Sequence, residues 1–356
     1  MKGVREDVYP GAVLLVAHCG EVVFFKETGH SSLIPYVASM QKDTIFDLAS
    51  LTKPLAATLA IIKLVDEGKI SLDERLANIL PKDLPVDKKG LTPRLLLNHC
   101  AGLVDWKPFY LELQHVRPEK RREELREQIL NMPLAYKPGK KTLYSDLGFM
   151  ILEWVIETIA GVSMDRFLQL HFYGPLGLKK TFFSNEVHTH PLGEAQFAAT
   201  EFCPWRKRVI RGCVHDENAY VLGGYSGHAG LFGTAKEVYV ITNLLRSHFR
   251  RERSDYFRPE TVREFFARQD IVSESTFALC WDTPSPQDSS SGRYFSANSV
   301  GHLGFTGTSV WMDLERDVIV VLLTNRIHPR RDNEKIKVLR PALHDAIMED
   351  LGGIRN

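Results

Sequence analysis

The chain has 356 residues, 44% of them hydrophobic and 25% charged, enough to bury a large core and too short for three ordinary domains. Lys and Arg total 45 against 44 Asp and Glu, a formal charge of +1, which removes any electrostatic case for nucleic acid or an anionic membrane as partner and leaves a small-molecule substrate. The five cysteines, Cys19, Cys100, Cys203, Cys213 and Cys280, are odd in number, widely spread and without a C-x-x-C pair, which argues against a disulfide framework and for a reducing compartment.

In chain order, the opening "MKGVREDVYPGAVLLVAHCG" carries an apolar run, Ala12 to Ala17, that is too short for a signal h-region and follows charged residues and Pro10. No later stretch approaches the roughly 18 apolar residues of a membrane span, so a soluble cytoplasmic protein is expected. "GAVLLVA" and "EVVFFKE", separated by "HCG", predict a β-hairpin. After Ser50, Leu55, Leu59, Ile62 and Val65 recur at helical spacing until Gly68, which predicts a largely buried helix. From Asp73 to Trp281 the pattern is mostly helical. It includes the charged "RPEKRREELREQILNMP", read as a solvated helix face, and the apolar "DLGFMILEWVIETIAG" ending at Gly161. "DTPSPQDSSSGR" reads as a flexible loop. "SVGHLG", "GTSVWMD" and "DVIVVLLTN" follow as strands, and a last helix is predicted from Asp332 to Leu351. Strands at both ends with helices between imply an α+β fold: one antiparallel sheet made from both termini, residues 1–72 with 277–356, and an inserted, mainly helical lobe, residues 73–276. A cleft is expected between the lobes.

Ser50 and Lys53 stand three residues apart at the start of the first helix, a spacing that puts both side chains on one face. Pro54 is tolerated there because first-turn amides have no intrahelical partner. A serine at a helix N-terminus sits where free N–H groups and the helix dipole stabilise negative charge developing on a substrate oxygen. Its hydroxyl needs a base, and a desolvated lysine can serve as one. The pattern alone is weak, since Ser39 and Lys42 repeat it without a helix start. The bland alternative is an N-cap serine beside a solvated lysine. Two further stretches join the pair: "KTLYSDLGFMILEWV", with Tyr144 and Asp146 before a helix, and "GHLGFTGTSVWMD", with His302 and Gly304 on a late strand.

Taken with "LTPRLLLNHCAGL" and "GHAGLFGTAKEV", these stretches fall in an order that resembles the serine β-lactamase and penicillin-binding protein superfamily, in its class C-like branch of β-lactamases, esterases and D-amino-acid peptidases. The resemblance spans nearly the whole chain and implies that fold. It implies Ser50 as the acyl-forming nucleophile, Lys53 as the group taking or sharing its proton, and Tyr144, acidified by a nearby cation, as the relay to the leaving group. An oxyanion hole made by the amides of Ser50 and Phe305, and substrate contacts by Asp146, His302 and Gly304, are implied as well. No metal or other cofactor is required. The expected substrate is a small ester, D-amino-acid peptide, muropeptide or β-lactam, and the oligomeric state is open.

The chain departs from the family where substrate is held. His302 and Leu303 replace a Lys and a Thr suited to a carboxylate; Leu303 donates no hydrogen bond, and His302 is only partly charged near pH 7. Asp146 replaces an Asn and, by its charge, helps keep Lys53 protonated. An esterase or amidase-like activity is therefore favoured over an efficient β-lactamase. The rival reading is a non-catalytic or slowly turning over binding protein for a muropeptide or β-lactam. Tyr225 in "GGYSGHAG" rivals Tyr144 for the phenol role, although its glycine-rich surroundings favour a loop wall. His188, His190, Cys203, Cys213, His215 and Asp216 match no compact zinc spacing. His99 is read as bonding a helix end, and Cys100 points away from it.

Overall fold

The computed structural model describes residues 2–184 and 192–352. The expected hairpin is present: β1 (Gly11–His18) and β2 (Glu21–Ser32) are joined through Cys19 and Gly20, both at positive φ. A short β3 (Ala38–Ser39) extends that edge, and β4 (Phe46–Asp47) leads into the helical segment ending in α1 (Leu59–Asp66). Beyond them come α2 (Asp146–Ala160), β5 (Leu231–Gly233) and α3 (Ala235–Phe249). The chain closes with β6 (Ser299–Leu303), β7 (Ser309–Asp313), β8 (Val318–Thr324) and α4 (Ile336–Gly352). Six strands form one antiparallel sheet in the order β3-β2-β1-β8-β7-β6. The first strand thus pairs with the last, with Leu15 opposite Val321.

The fold is therefore α+β, with a sheet built from both chain ends as the sequence predicted. Alternation along β1 explains its central place. Val13, Leu15 and Ala17 face the main core with the helical segment that follows Ser50 and α3, while Ala12 and Val16 face α4 through Ile336 and Met348. Although α3 falls inside the 73–276 span, it lies on the sheet: Tyr239 donates to the Gly20 carbonyl at 2.6 Å, and Arg246 pairs with Asp317.

Two local expectations are corrected. The last helix begins at Ile336 instead of Asp332, because the residues before it are held elsewhere: Arg331 pairs with Glu201 and Glu217, and Asn333 donates to the Asp7 carbonyl at 2.9 Å. The charged helix Arg121–Asn131 is not simply solvated. Arg122 and Arg126 pair with Glu153 and Glu157 of α2, so part of the charge run staples two helices together. Among the described residues no single helix is long and apolar enough to cross a membrane, and all five cysteines are free.

Candidate active site

Where β4 ends, the chain makes a tight turn at Ala49, whose φ of +48° is uncommon for a residue with a Cβ. Several bonds hold it there. The buried Asp47 carboxylate accepts the amide of Ala49 at 2.8 Å and that of His215 at 2.6 Å. Thr52 donates its hydroxyl to the Ala49 carbonyl at 2.6 Å and accepts the amide of Leu231 on β5 at 3.0 Å. Beyond the turn, a 3-10 segment, Ala49–Leu51, runs into a wide π-type turn, Lys53–Thr58, and then α1. Ser50 is thereby fixed at the start of the helix, at the edge of a cleft.

Lys53 is completely buried, with 0% of its surface exposed. Its ammonium lies 2.9 Å from Ser50 Oγ and 3.3 Å from the His228 carbonyl, forms an ion pair with Asp146 Oδ1 at 2.7 Å, and also hydrogen-bonds the Tyr144 side chain. Its Nζ also lies 4.9 Å from the centre of the Tyr144 ring and 5.6 Å from that of Phe149. Burial alone favours the neutral amine, but Asp146 and then Tyr144 outweigh it, and the Lys53 pKa lies above the ordinary lysine value. The resting site therefore holds an ammonium.

Tyr144 differs from the expected acidified phenol. Burial raises its pKa, Lys53 lowers it and Asp146 raises it again, leaving a net upward shift. Because 36% of the residue is open to the cleft, solvent screens part of the burial effect. The direction keeps the phenol protonated near neutral pH, as a proton donor. His99, itself at φ +56°, packs against Tyr144 with ring centres 4.4 Å apart and planes tilted by 33°. Its Nδ1 accepts the amide of Ser145 at 3.0 Å, so it bonds a helix end as read from the sequence.

The opposite wall is β6. His302 is also buried, and burial, followed by the Lys53 charge, lowers its pKa to about 3. It is neutral rather than partly charged. Its Nδ1 lies 3.0 Å from the Leu303 carbonyl, which only accepts, so Nδ1 carries the proton. Nε2 is then a lone-pair acceptor, buried without a partner. Gly304 lets this wall approach the turn before Ser50: a Cβ there would lie 2.0 Å from Thr308 Oγ1 and 2.6 Å from the Leu48 carbonyl oxygen. We expect Gly304→Ala to destabilise the fold by about 1–3 kcal/mol, the usual range for overpacking, and to slow acylation at Ser50 as well. Thermal unfolding with a labelling rate on the same samples checks this; an unchanged Tm would disprove the close approach.

Ser50, Tyr144, Asp146, His302, Gly304 and Phe305 all line one cleft of about 730 Å³. A larger hollow of about 1250 Å³ lies between the 283–298 loop and α4. It does not contain Ser50, whereas the smaller cleft does, so chemistry selects the smaller one. Phe305 turns its ring into the cleft, stacked on His215 at 5.7 Å. Tyr225 is elsewhere: its hydroxyl donates to Asp165 Oδ1 at 2.9 Å and its ring packs on Phe183. The glycine-rich loop that follows does reach the cleft, through His228 and Ala229.

His188 and His190 lie outside the described residues. Cys203 and Cys213 accept from Arg206 and Arg208, His215 faces Glu201, and Asp216 pairs with His228 at 3.0 Å. Among the described residues the one compact set of candidate metal ligands is Glu201, Cys203 and Glu217, and Arg331 pairs with both of its carboxylates. Sequence reasoning missed Asp47 altogether. Its only signal was an acidic residue three positions before the serine, while its second partner is 168 residues away.

The two-ended sheet and a Ser-x-x-Lys pair facing a glycine-bearing strand are those of the penicillin-recognising serine hydrolase superfamily, in its class C-like branch. The chain belongs to the beta-lactamase family, whose profile matches residues 2–343. Among curated relatives, the N-acetylmuramyl-L-alanine amidase of Bacillus subtilis (strain 168) is 32% identical over 351 residues, covering 90% of this chain and 78% of that protein. A putative D-alanyl-D-alanine carboxypeptidase of Salmonella heidelberg (strain SL476) is 33% identical over 365 residues, covering 92% and 81%. Among solved structures, EstCE1, a hydrolase with promiscuous acyltransferase activity, superposes with a TM-score of 0.75 at 21% identity, covering 98% of this chain and 96% of that one. An Aspergillus terreus simvastatin synthase gives 0.71 at 17% identity, covering 98% and 96%.

Proposed function

We propose that this chain is a serine hydrolase that forms and then hydrolyses an acyl intermediate on Ser50, acting on a small amide, ester or D-amino-acid peptide. The observation that carries the reading is Lys53, fully buried and 2.9 Å from the Ser50 hydroxyl. Ser50 Oγ attacks the substrate carbonyl while its proton passes to the Lys53–Asp146 pair. Because the resting lysine is an ammonium, it must first be deprotonated or shift one of its own protons to Asp146. The amides of Ser50 and Phe305 receive the oxyanion. The protonated Tyr144 phenol then gives its proton to the departing nitrogen or oxygen, and His302 Nε2 offers an acceptor to a substrate N–H or O–H. Water next attacks the acyl ester, giving a proton to the Tyr144 phenolate, while the Lys53–Asp146 pair returns its proton to Ser50 Oγ as the carboxylic acid leaves.

The absence of a cation and a hydroxyl from positions 302 and 303 favours amide or ester cleavage over β-lactam turnover. The names of the two curated relatives point in the same direction, toward muramyl amides and D-alanyl peptides. A panel of N-acetylmuramyl-L-alanine, a D-alanyl-D-alanine peptide, 4-nitrophenyl acetate and a penicillin, followed by product release, tests this. Turnover of at least one amide or ester, with penicillin slower, is the expected result. A single-equivalent burst with no turnover on every compound would instead establish the binding-protein alternative.

A further inference from the structure

The proposed chemistry leaves one buried acid of α2 without a use. Glu153 is 3% exposed. It shares a face of α2 with Asp146 and Phe149, at spacings of three and four. Both of those reach Lys53: Asp146 Oδ1 lies 2.7 Å from Nζ, and the centre of the Phe149 ring 5.6 Å from it. Glu153, one turn further on, holds the glycine-rich loop instead. Its Oε2 accepts the Ser226 hydroxyl at 2.7 Å and the Gly227 amide at 2.9 Å. Its Oε1 pairs with Arg122, which also donates to the Tyr225 carbonyl at 3.1 Å.

What is fixed at one end of this loop is fixed at the other. Ser226 and Ala229 exchange both main-chain hydrogen bonds, at 2.9 and 3.1 Å, so residues 226–229 form one closed turn. Gly227 packs directly on α2, where a Cβ would come within 2.1 Å of the Phe149 carbonyl oxygen. The same turn presents the His228 carbonyl, 3.3 Å from Lys53 Nζ. A displacement at Ser226 and Gly227 is therefore passed on to an acceptor of the Lys53 ammonium. Joining the two helices does not by itself call for Glu153, since Arg126 and Glu157 already do so one turn away, and an apolar side chain packs a helix interface as well as a buried ion pair does. The carboxylate supplies what an apolar group lacks, acceptors for the loop's hydroxyl and amide.

We propose that Glu153, braced by Arg122, is a positioning residue for acylation: it fixes the 226–229 turn so that the His228 carbonyl holds the Lys53 ammonium beside Ser50. This rests on the serine hydrolase reading above and adds a control on the lysine from outside the Ser-x-x-Lys pair. An acceptor favours the ammonium over the amine, so withdrawing the carbonyl lowers the pH at which Lys53 gives up its proton. The other titratable groups facing Lys53 are Asp146, Tyr144, His99, His302 and Cys280, all outside the turn. The His228 ring faces it as well, paired with Asp216 at 3.0 Å.

The test is the rate at which a fluorophosphonate labels Ser50, measured across pH. Glu153→Ala should label about tenfold or more slowly on the plateau, the scale of a small misplacement of reacting groups. Its ascending limb should move to lower pH by about half a unit, the sign expected when an acceptor of the ammonium is lost. Glu153→Gln loses the ion pair but keeps an oxygen for Ser226 and Gly227, so it should retain most of the rate and the wild-type limb. Glu157→Gln breaks the neighbouring pair and should lower Tm without moving the profile. Ser226→Ala removes one bond to the turn, should shift the limb the same way by less, and carries the test should Glu153→Ala not fold. An unmoved limb in Glu153→Ala, or in Ser226→Ala where only that variant folds, would overturn the proposal. So would an equal shift in Glu157→Gln, or a Glu153→Gln profile matching that of Glu153→Ala. A wild-type Ser50 that takes no label removes the hydrolase reading as well, whereas a labelled Ser50 with unmoved profiles removes only the role of Glu153.

Discussion

Ser50→Ala should abolish the single covalent adduct that a fluorophosphonate forms with the wild-type chain and lower hydrolysis by roughly 10⁴-fold or more, as nucleophile removal does in other serine hydrolases. The fold should survive. The Ser50 hydroxyl accepts from Lys53 at 2.9 Å, but Lys53 keeps Asp146 and the His228 carbonyl when that oxygen is gone. No buried charge is left without a partner, so stability should change by no more than about 1 kcal/mol. Intact-protein mass spectrometry and thermal unfolding read both effects. Equal labelling of Ser50→Ala would refute the nucleophile assignment, and a large fall in Tm would show that loss of activity came from unfolding.

Asp146→Asn should move the ascending limb of the acylation pH profile to lower pH by about one unit or more. The Asp146 carboxylate lies 2.7 Å from Lys53 Nζ. At that separation the interaction is worth about 1.5 kcal/mol even with the dielectric constant of bulk water, and more in a partly dry cleft. One pKa unit corresponds to about 1.4 kcal/mol. With the carboxylate removed, burial, already the largest influence on Lys53, is no longer outweighed, and the neutral amine becomes more populated near pH 7. The stability effect has the opposite sign. The folded pKa of Lys53 is raised, so the pair stabilises the fold below the unfolded lysine pKa, and that contribution fades only as pH rises through the folded value. The variant should thus be less stable at neutral pH, by at most the lower end of the about 3–5 kcal/mol seen for broken buried pairs, since Asp146 is partly exposed. Rapid-mixing acylation rates across pH, with denaturant unfolding at pH 7, measure both. If acylation instead vanishes at every pH, Asp146 is itself the terminal proton acceptor.

Much of this was legible in the chain because the relevant signals are local. β-rich runs marked β1 and β2, strand-like segments at short spacing marked the three closing strands, and the three-residue spacing of Ser50 and Lys53 put them on one face of a helix start. What stayed hidden depends on contacts between distant segments. The protonation states of His302 and Tyr144 are set by burial, which composition does not reveal. The Arg122–Glu153 and Arg126–Glu157 pairs made a seemingly solvated helix into a packed one. Asp47 looks like an ordinary charged residue until the chain folds, and its meaning comes from the distant amides gathered around it.

Asp47 has a wider consequence. Its carboxylate gathers amides from positions 49 and 215, and its carbonyl accepts the hydroxyl of Thr306 at 2.8 Å. The unusual turn before Ser50 is thus clamped by three stretches of chain that the ribosome makes far apart in time. A nascent chain, or one cut between these stretches, carries the serine without the geometry that arms it. The geometry around Ser50 is therefore complete only once residues 215 and 306 have been made and have packed against the turn.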